Sequence, residues 1–600
     1  GFPPGGVYSG VGAAYIGPTL AAPSGWRPAP TAPAPETALT ALHLAHWPPG
    51  LSHHLTLPET HLFYNAEVSA TRYPHKPFIV YHGATLTFAQ FHRQAEQLAG
   101  HLQTVCGVQR GDRVLLCMQN CPQWAVAFYA IVRANAVVVP VNPMNRTDEL
   151  RHCQQDSGAT VAITAQHLLP EFAPLHQPDA PSDPVHGSTP KAALRHLVVA
   201  AYSDALPALP EPPAPDLVTA PRQPLIGPGL HAWADALASG HAPGPLTTGP
   251  DDLCVMPYTS GTTGQPKGCM HTHRTVMSTL VGGVHWFGRT PDSVYLSVLP
   301  YFHVTGLVGG LHGPLYLGST TVLLSRWDRE AAAVCIARHR VNVWQAISTM
   351  VIDFMANPRL GQHDLSSLDA VRGGGAAMPA AVHDQLKALT GVAYVEGYGM
   401  TETMAATHIN PQHRPKRQCL GIPVFDVDAR VIDPVTFAEV AQGESGEIVM
   451  HGPQVMLGYW NNPEATRQTF IELDGKRFLR SGDLGHVDED GYFFMTDRLK
   501  RMINASGFKV WPAEVEAMLY HHPAIQEACV IGAHDPHRGE TVKAMVVLKA
   551  GAAEHTRPQD ITDWAHAHMA AYKVPRVVEL VATLPKSATG KVMWRTLQAQ

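Results

Sequence analysis

The stretch YTSGTTGQPKG, residues 258–268, is the most informative in the chain. It places four serine and threonine hydroxyls and three glycines in eleven positions, together with a proline and a lysine. Backbone N–H groups around glycines can form a concave anion site, the hydroxyls add donors, and Lys267 adds a positive charge. These groups suit a polyphosphate, although the spacing is not that of the Walker A loop. A surface linker has the same composition, so the stretch alone leaves both interpretations open.

The composition indicates a globular protein with two or three domains. The chain has 600 residues, which is too long for one ordinary core, and 45% of them are hydrophobic and 15% charged. A formal net charge of −6 argues against a dedicated nucleic-acid binder. The nine cysteines form no CxxC pair, which predicts reduced thiols. The longest apolar run, Trp124 to Val132, is far shorter than the about 20 residues that span a bilayer.

The first residues have their own composition. Residues 1–50 are rich in Gly, Ala and Pro, as in RPAPTAPAPET, and predict a flexible extension. They contain no basic stretch followed by an apolar one, so we expect no signal peptide and a cytoplasmic location. No amphipathic basic segment stands out anywhere, so we expect at most peripheral membrane contact.

The pattern of apolar residues predicts a parallel sheet in the first part of the chain. Apolar residues recur at spacings of three and four from Phe88 to Leu102 and predict a helix capped by Thr87. Strands and a helix then alternate as in a βαβ unit: a strand over 113–118, a helix over 123–134, and strands over 136–143, 161–164 and 197–202. Proline-rich stretches at 168–190 and 206–225 predict surface loops.

The last hundred residues predict a small α+β module. The charged segment TDRLKRMI (496–503) marks the boundary, so we place one domain at 51–498 and a second at 499–600. The segments predicted in the second domain are helices over 511–522 and 560–570 and strands over 528–533, 543–550 and 576–582.

Four further motifs follow the glycine-rich stretch. They are EGYGMTE (396–402), RSGDLG (480–485), DRLKRMINASGFKVWPAEVE (497–516) and LPKSATGK (584–591). In this order and with these separations, the five motifs resemble the adenylate-forming superfamily of acyl-CoA synthetases, aryl-CoA ligases, firefly luciferase and adenylation domains. The resemblance covers roughly residues 55–600 and is to bacterial medium- and long-chain fatty acyl-CoA ligases in particular. It implies an α/β fold, with a large N-terminal domain of mixed and parallel sheets and a small mobile α+β C-terminal domain.

The resemblance implies a reaction in two steps. A carboxylate attacks the α-phosphate of ATP to give acyl-AMP and pyrophosphate, and the thiolate of coenzyme A then displaces AMP. Because an anion must approach a polyanion, such a site needs preorganised donors, Mg²⁺ and a movable cation more than a general base. The implied cofactors and co-substrates are therefore ATP, Mg²⁺ and coenzyme A.

The resemblance also implies roles for single residues in the nucleotide site. The residues that would hold the β- and γ-phosphates are Thr259, Ser260, Gly261, Thr262, Thr263, Gly264 and Lys267. Those that would surround the rest of the nucleotide are Glu396, Gly397, Tyr398, Asp483 and Arg498. Among these, Tyr398 would lie against adenine, although alone it would be taken for a buried core aromatic, and Asp483 would bond the ribose hydroxyls. Thr401 would contact phosphate, and Glu402 would ligate Mg²⁺.

Three residues of the C-terminal motifs have implied roles in catalysis and motion. Lys591 resembles the catalytic lysine that bridges the acyl carboxylate and the α-phosphate. Lys500 falls at the position of the hinge about which the small domain rotates. Gly507 would border the pantetheine tunnel, with a plain turn as the alternative.

Two motifs bear on the acid. His303, in LPYFHVTGL (299–307), stands where amino-acid-activating relatives carry an aspartate, which argues against an amino acid substrate. It would line the carboxylate end of the pocket, with a structural histidine as the alternative. In RGGGAAMP (372–379), the small residues Gly374, Gly375 and Ala376 would let the substrate pass along the backbone. The apolar residues predicted to line the remainder are Val304, Gly306, Gly309, Trp344 and Met404.

A neutral, apolar pocket predicts a fatty acid, with an aryl acid such as cinnamate or benzoate as the alternative. The motifs are also compatible with an acyl-AMP ligase that loads a carrier protein, a luciferase-like oxidase or a non-catalytic nucleotide-binding scaffold. The sequence leaves the oligomeric state, including a homodimer, open.

Overall fold

The computed structural model describes residues 42–179, 193–259, 265–375, 378–498, 501, 503–505, 508–510, 512–535, 539–552, 555–587 and 592–598. Strands and helices alternate through most of this chain. The strands are β1 (Pro77–Tyr81), β2 (Ala84–Thr87), β3 (Arg113–Cys117), β4 (Val137–Pro140), β5 (Val161–Ala165), β6 (His196–Ala200), β7 (Leu230–Ala232), β8 (Leu253–Val255), β9 (Tyr258–Thr259), β10 (Lys267–Gly268), β11 (His271–Thr272), β12 (Val294–Ser297), β13 (Thr320–Leu323), β14 (Val343–Gln345), β15 (Ala370–Gly374), β16 (Tyr394–Met400), β17 (Ala405–Ile409), β18 (Ile422–Pro423), β19 (Asp428–Ile432), β20 (Gly446–His451), β21 (Phe470–Leu473), β22 (Lys476–Val487), β23 (Phe493–Arg498), β24 (Ile503–Ala505), β25 (Phe508–Val510), β26 (Ile525–Asp535), β27 (Gly539–Leu548) and β28 (Val577–Leu580).

The α-helices are α1 (Tyr64–Arg72), α2 (Phe88–Thr104), α3 (Pro122–Arg133), α4 (Thr147–Ser157), α5 (Leu169–Phe172), α6 (Asp216–Thr219), α7 (Trp233–Ala238), α8 (His273–Phe287), α9 (Val304–Gly306), α10 (Gly313–Leu317), α11 (Arg329–His339), α12 (Ser348–Met355), α13 (Ala380–Thr390), α14 (Pro463–Thr469), α15 (Pro512–Leu519), α16 (Pro558–His568) and α17 (Trp594–Gln598). Short 3-10 segments are His43–His46, Gln166–Leu168, Ala173–Leu175, Tyr202–Ala205, Leu360–Gln362 and Thr401–Thr403, and a π-helical segment is Leu307–His312.

Two large sheets form the N-terminal part. The first has nine strands in the order β18-β17-β16-β15-β14-β12-β13-β1-β2, and its strands from β16 to β1 are parallel. The second has seven strands in the order β11-β8-β4-β3-β5-β6-β7 and is parallel except at β11. The largest apolar core lies between them and contains strand residues of both sheets, such as Phe78 and Val114, together with helices α2 and α3. The predicted α/β fold is confirmed.

Two five-stranded sheets follow. The third sheet, β19 to β23, is antiparallel, and β23 ends at Arg498. The fourth contains β24 to β28 and packs with helices α15 and α16 around a separate small core. These elements agree with the α+β module predicted for the end of the chain.

The local signals in the sequence explain how the elements begin. Helix α2 begins after Thr87, whose hydroxyl accepts a hydrogen bond from the Gln90 N–H at 3.2 Å. The Gln90 side chain accepts one from the Thr87 N–H at 2.9 Å, which completes a capping box. The βαβ prediction holds as well, because β3 and β4 flank α3 and pair in parallel.

Two predictions for irregular segments were wrong in part. Trp47, within the predicted flexible extension 1–50, is buried and packs on Trp286. Phe172 and Leu175, in a stretch predicted as a surface loop, are also buried. Proline is tolerated in the first turn of the short helix α5, so the apolar side chains beside it still reach the core. No helix among the described segments is long and apolar enough to cross a membrane.

Candidate active site

A short hairpin fixes the two ends of the glycine-rich stretch. Strands β9 and β10 are antiparallel, and Thr259 lies opposite Lys267. The hairpin is attached to helix α4, because the Tyr258 hydroxyl donates to Asp156 Oδ2 at 2.7 Å and the His152 ring donates to the Pro266 carbonyl at 2.7 Å. Five residues predicted to bind phosphate lie outside the described residues: Ser260, Gly261, Thr262, Thr263 and Gly264.

The chain after Lys267 pairs with a second segment of the site. The Trp460 N–H donates to the Gly268 carbonyl at 2.8 Å, and the Met270 N–H donates to the Gly458 carbonyl at 3.0 Å. This pairing places the ammonium of Lys267 4.1 Å from the ring centroid of Tyr459. The sequence analysis did not single out Tyr459, although it stands in GYWNNPEAT, just before the Asn-Pro start of a helix.

Tyr459 connects this cation to the predicted metal ligand. Its hydroxyl donates to Glu402 Oε1 at 2.7 Å, and Glu402 is only 6% exposed. Burial raises the pKa of Glu402, whereas the hydrogen bond from Tyr459 and the charge of Lys267 lower it. A buried carboxylate at the surface of a cleft is the kind of hard oxygen ligand that Mg²⁺ takes together with phosphate oxygens. Glu402 therefore fits Mg²⁺, which when bound neutralises phosphate charge.

Thr401 is held by a histidine that the sequence analysis did not identify. The 3-10 segment Thr401–Thr403 follows β16, and the Thr401 carbonyl accepts a hydrogen bond from His271 Nε2 at 2.8 Å. His271 is fully buried, and burial lowers its pKa to about 4. The ring is therefore neutral at physiological pH, with its proton on Nε2 directed at the carbonyl of Thr401.

The predicted adenine and ribose ligands are joined directly. The Tyr398 hydroxyl donates to Asp483 Oδ2 at 2.7 Å, and both side chains are buried while bordering the cleft. Tyr398 is thus both a core aromatic and a cleft residue. Arg498 lies opposite Asp483 on the neighbouring strand, although its side chain lies outside the described part of the structure.

Both carboxylate oxygens of Glu396 accept hydrogen bonds from the protein backbone. The donors are the Met378 N–H at 2.6 Å and the Cys419 N–H at 3.1 Å. Burial raises the pKa of Glu396, and these backbone donors lower it. The carboxylate therefore ties two loops to β16.

Glycines bring the strands of this wall close together. Gly397 lies opposite Gly374, where a Cβ atom would meet the Gly397 carbonyl oxygen at 2.1 Å. Gly375 follows with a φ of +86°, a backbone conformation that favours glycine. Ala376 lies outside the described residues.

The predicted pocket residues divide into two groups. His303 is half-buried at the start of helix α9, where its Nδ1 accepts a hydrogen bond from the Thr305 N–H at 3.4 Å, and it borders the cleft with Val304 and Gly309. Trp344 and Met404 are fully buried in the cores, and Gly306 is buried and does not border the cleft, so the assignment of these three to the pocket wall was wrong. On strand β14, Trp344 points to the face opposite that of Gln345, which borders the cleft, and it stacks on Trp327.

Lys267, His303, Tyr398, Glu402 and Asp483 border one continuous cleft of about 2880 Å³. Residues of the C-terminal part also border it, among them Ser587 and Val592. They flank Lys591, which with Lys500 and Gly507 lies outside the described residues. The roles of these three residues therefore stay predictions.

Comparison with known proteins accounts for this arrangement. The family model described as AMP-binding enzyme matches residues 66–460, and its C-terminal domain model matches residues 514–591. The chain belongs to the AMP-binding enzyme family. The resemblance inferred from the five motifs is confirmed.

Similar proteins of this family are acid–CoA ligases. The long-chain-fatty-acid–CoA ligase of Bacillus subtilis is 34% identical over 568 residues, which cover 92% of this chain and 97% of that protein. The feruloyl-CoA synthase of Amycolatopsis sp is 34% identical over 522 residues, which cover 87% and 95%.

Solved structures of AMP-binding enzymes share the fold. ATP-bound MatB from Rhodopseudomonas palustris has a TM-score of 0.78 at 27% identity, with 90% of this chain and 99% of that chain covered. The anthranilate CoA ligase AuaEII in complex with anthranoyl-AMP has a TM-score of 0.76 at 29% identity, with 91% and 98% covered. This AMP-binding enzyme is an ATP-dependent, AMP-forming acyl-CoA synthetase that uses ATP, Mg²⁺ and coenzyme A.

Proposed function

We propose that this enzyme joins coenzyme A to a carboxylic acid with an apolar body, a fatty acid or an aryl acid. The observation that carries the proposal is the lining of the cleft beyond His303. Apolar residues that border the cleft are Val304, Val308, Phe287, Val395 and Ile409. Similar proteins are named for long-chain fatty acids, ferulate and 4-coumarate, and these acids all have an apolar body.

In this proposal the nucleotide occupies the part of the cleft between the hairpin and β22. Lys267 and the hairpin hold the β- and γ-phosphates, and Glu402 holds Mg²⁺ while the Tyr459 hydroxyl orients its carboxylate. Asp483 bonds the ribose hydroxyls, and its orientation is set by the Tyr398 hydroxyl. His303 faces the reacting carboxylate of the acid.

The C-terminal part supplies the movable cation. Lys591 bridges the carboxylate and the α-phosphate during adenylation. The nearby residues Ser587 and Val592 border the cleft, which supports this role. The small domain, residues 499–600, then rotates about Lys500 for the thioester step, in which Gly507 borders pantetheine.

The test is acid-dependent exchange between ATP and pyrophosphate. Acetate, medium- and long-chain fatty acids, benzoate and cinnamate are compared, and AMP release is then measured with and without coenzyme A. We expect exchange with fatty or aryl acids, and AMP release that depends on coenzyme A. Exchange restricted to acetate, or AMP release that is indifferent to coenzyme A, would contradict the proposal.

A further inference from the structure

An arginine side chain lies inside the acid pocket. Arg372 is on strand β15, where neighbouring side chains alternate between the two faces of the sheet. Val371 points into the core that contains Trp344, so Arg372 points to the opposite face and borders the cleft. Its guanidinium lies 3.9 Å from the ring centroid of Phe287 and 5.9 Å from that of Tyr295.

This guanidinium carries a charge that the described protein does not neutralise at close range. Its Nη1 atom is buried and has no hydrogen-bond partner among the described residues. The Tyr295 hydroxyl and Asp369 both act on it, but the hydroxyl is neutral, and the carboxylate is half exposed and pairs with Arg289 at 2.5 Å. Burial lowers the pKa of Arg372 to about 10, so the group stays protonated at neutral pH. Buried charges are ordinarily paired, and the two aromatic rings compensate only in part.

The neighbouring strand carries a second unsatisfied polar side chain. Gln345 lies opposite Arg372 on that strand, and its Oε1 atom is buried without a partner among the described residues. Both side chains border the cleft. Buried polar groups in native proteins nearly always have partners, so this pair indicates a polar group of the ligand.

The position of Arg372 along its strand indicates which end of the ligand this is. The nucleotide wall begins at Gly374 and Gly397, at the carboxyl end of the parallel strands. Arg372 precedes Gly374 by two residues, which is about 7 Å along a strand and away from that end. Its guanidinium also lies near the ring of Tyr295, at the start of β12, whereas His303 follows the end of β12. Arg372 therefore lies deeper in the pocket than the reacting carboxylate.

We propose that the acid carries a second carboxylate at the end away from the reacting one, and that Arg372 binds it. The inference rests on the proposed function and narrows it to a dicarboxylic acid with an apolar middle. A guanidinium and a carboxylate form charge-assisted, often bidentate hydrogen bonds, and the Gln345 amide NH₂ can donate a further one. A plain alkyl or aryl tail would leave Arg372 Nη1 without a partner.

The test compares matched acids on the full-length enzyme. Straight-chain acids of increasing length are supplied as the plain acid, the ω-hydroxy acid and the ω-carboxy acid, and cinnamate is supplied plain, with a para-hydroxyl or with a para-carboxyl. At the best length, we expect kcat/KM for the diacid to exceed that for the plain acid by about 10-fold or more, as one charge-assisted bond allows. Arg372→Leu should reverse this preference, whereas Arg372→Lys should keep part of it.

The controls separate charge loss from general damage. Arg340→Leu removes an exposed arginine, paired with Asp364, just before β14, and should leave the preference unchanged. If Arg372→Leu does not fold, the wild-type ranking and Arg372→Lys still decide. A wild-type preference for plain or ω-hydroxy acids at every length would overturn the proposal while leaving the ligase intact. Exchange with no acid of either series would instead overturn the proposed function.

Discussion

The hydroxyl of Tyr459 allows a direct test of the metal site. It donates to Glu402 Oε1 at 2.7 Å, and each of the two side chains is 6% exposed. Among the influences that lower the pKa of Glu402, this hydrogen bond is the largest. Tyr459→Phe removes the donor and keeps the ring against which Lys267 lies.

The expected effect follows from the charge of the acceptor. A hydrogen bond to a charged group contributes about 1.5–3 kcal/mol, and here it stabilises the ionised form of Glu402. Loss of a partner of a metal ligand ordinarily weakens metal binding about 10- to 100-fold, so we expect Mg²⁺–ATP to bind at least about 10-fold more weakly. Because only the ionised carboxylate binds Mg²⁺ and its pKa rises further, the acid limb of the pH profile should move to higher pH.

The assay is ATP–pyrophosphate exchange at varied Mg²⁺ concentration and pH. Tyr492→Phe is the matched control, because its buried hydroxyl donates to the Arg414 carbonyl at 2.8 Å and does not border the cleft. If Tyr459→Phe shows the Mg²⁺ dependence and the acid limb of the wild type, Glu402 is not the metal ligand.

Three further predictions concern the cation, the pocket and pH. Lys591→Ala should lower adenylation by about 100-fold or more, as expected for one preorganised donor, and spare thioester formation from supplied acyl-AMP; equal losses in both half-reactions would refute the role. Gly309→Ala should raise KM for the acid but not for ATP, because a Cβ atom there would meet Gln345 Oε1 at 1.7 Å; steady-state kinetics with each substrate varied decide this. The free energy of unfolding should fall as pH drops from about 6.5 to 4, because burial lowers the pKa of His271 to about 4 and of His312 and His408 to about 3, so the unfolded chain takes up protons first. Each such histidine adds a slope of about 1.4 kcal/mol per pH unit, which denaturant titrations at a series of pH values will detect; a flat profile would contradict it.

Local signals made much of the fold predictable. The three-and-four spacing and the Thr87 cap predicted helix α2, and the order of strand and helix predicted the parallel pairing of β3 with β4. These signals depend on residues that are neighbours in sequence, so no tertiary information was needed. The motifs around Glu402 and Asp483 were likewise recognisable from their order along the chain.

The remaining features of the site depend on register and long-range contact. Arg372 and Val371 are adjacent, yet along the strand one side chain points to the cleft and the other to the core, and the sequence does not show which. The same alternation placed Trp344 in the core rather than at the pocket. Tyr459 meets Glu402 only through the pairing of Gly268 and Met270 with a segment about 190 residues later in the chain. Spacing arguments cannot find such pairs.

The packing of Trp47 has a consequence for protein engineering. Its ring lies 4.9 Å from that of Trp286 and 5.3 Å from that of Phe425, and Trp286 immediately precedes Phe287, the ring beside Arg372. The family match begins only at residue 66. A shortened protein trimmed to the family boundaries would therefore lose the packing behind Phe287, which borders the cleft. We therefore expect exchange of this leading segment between homologues to change acid selectivity without altering a residue that borders the cleft.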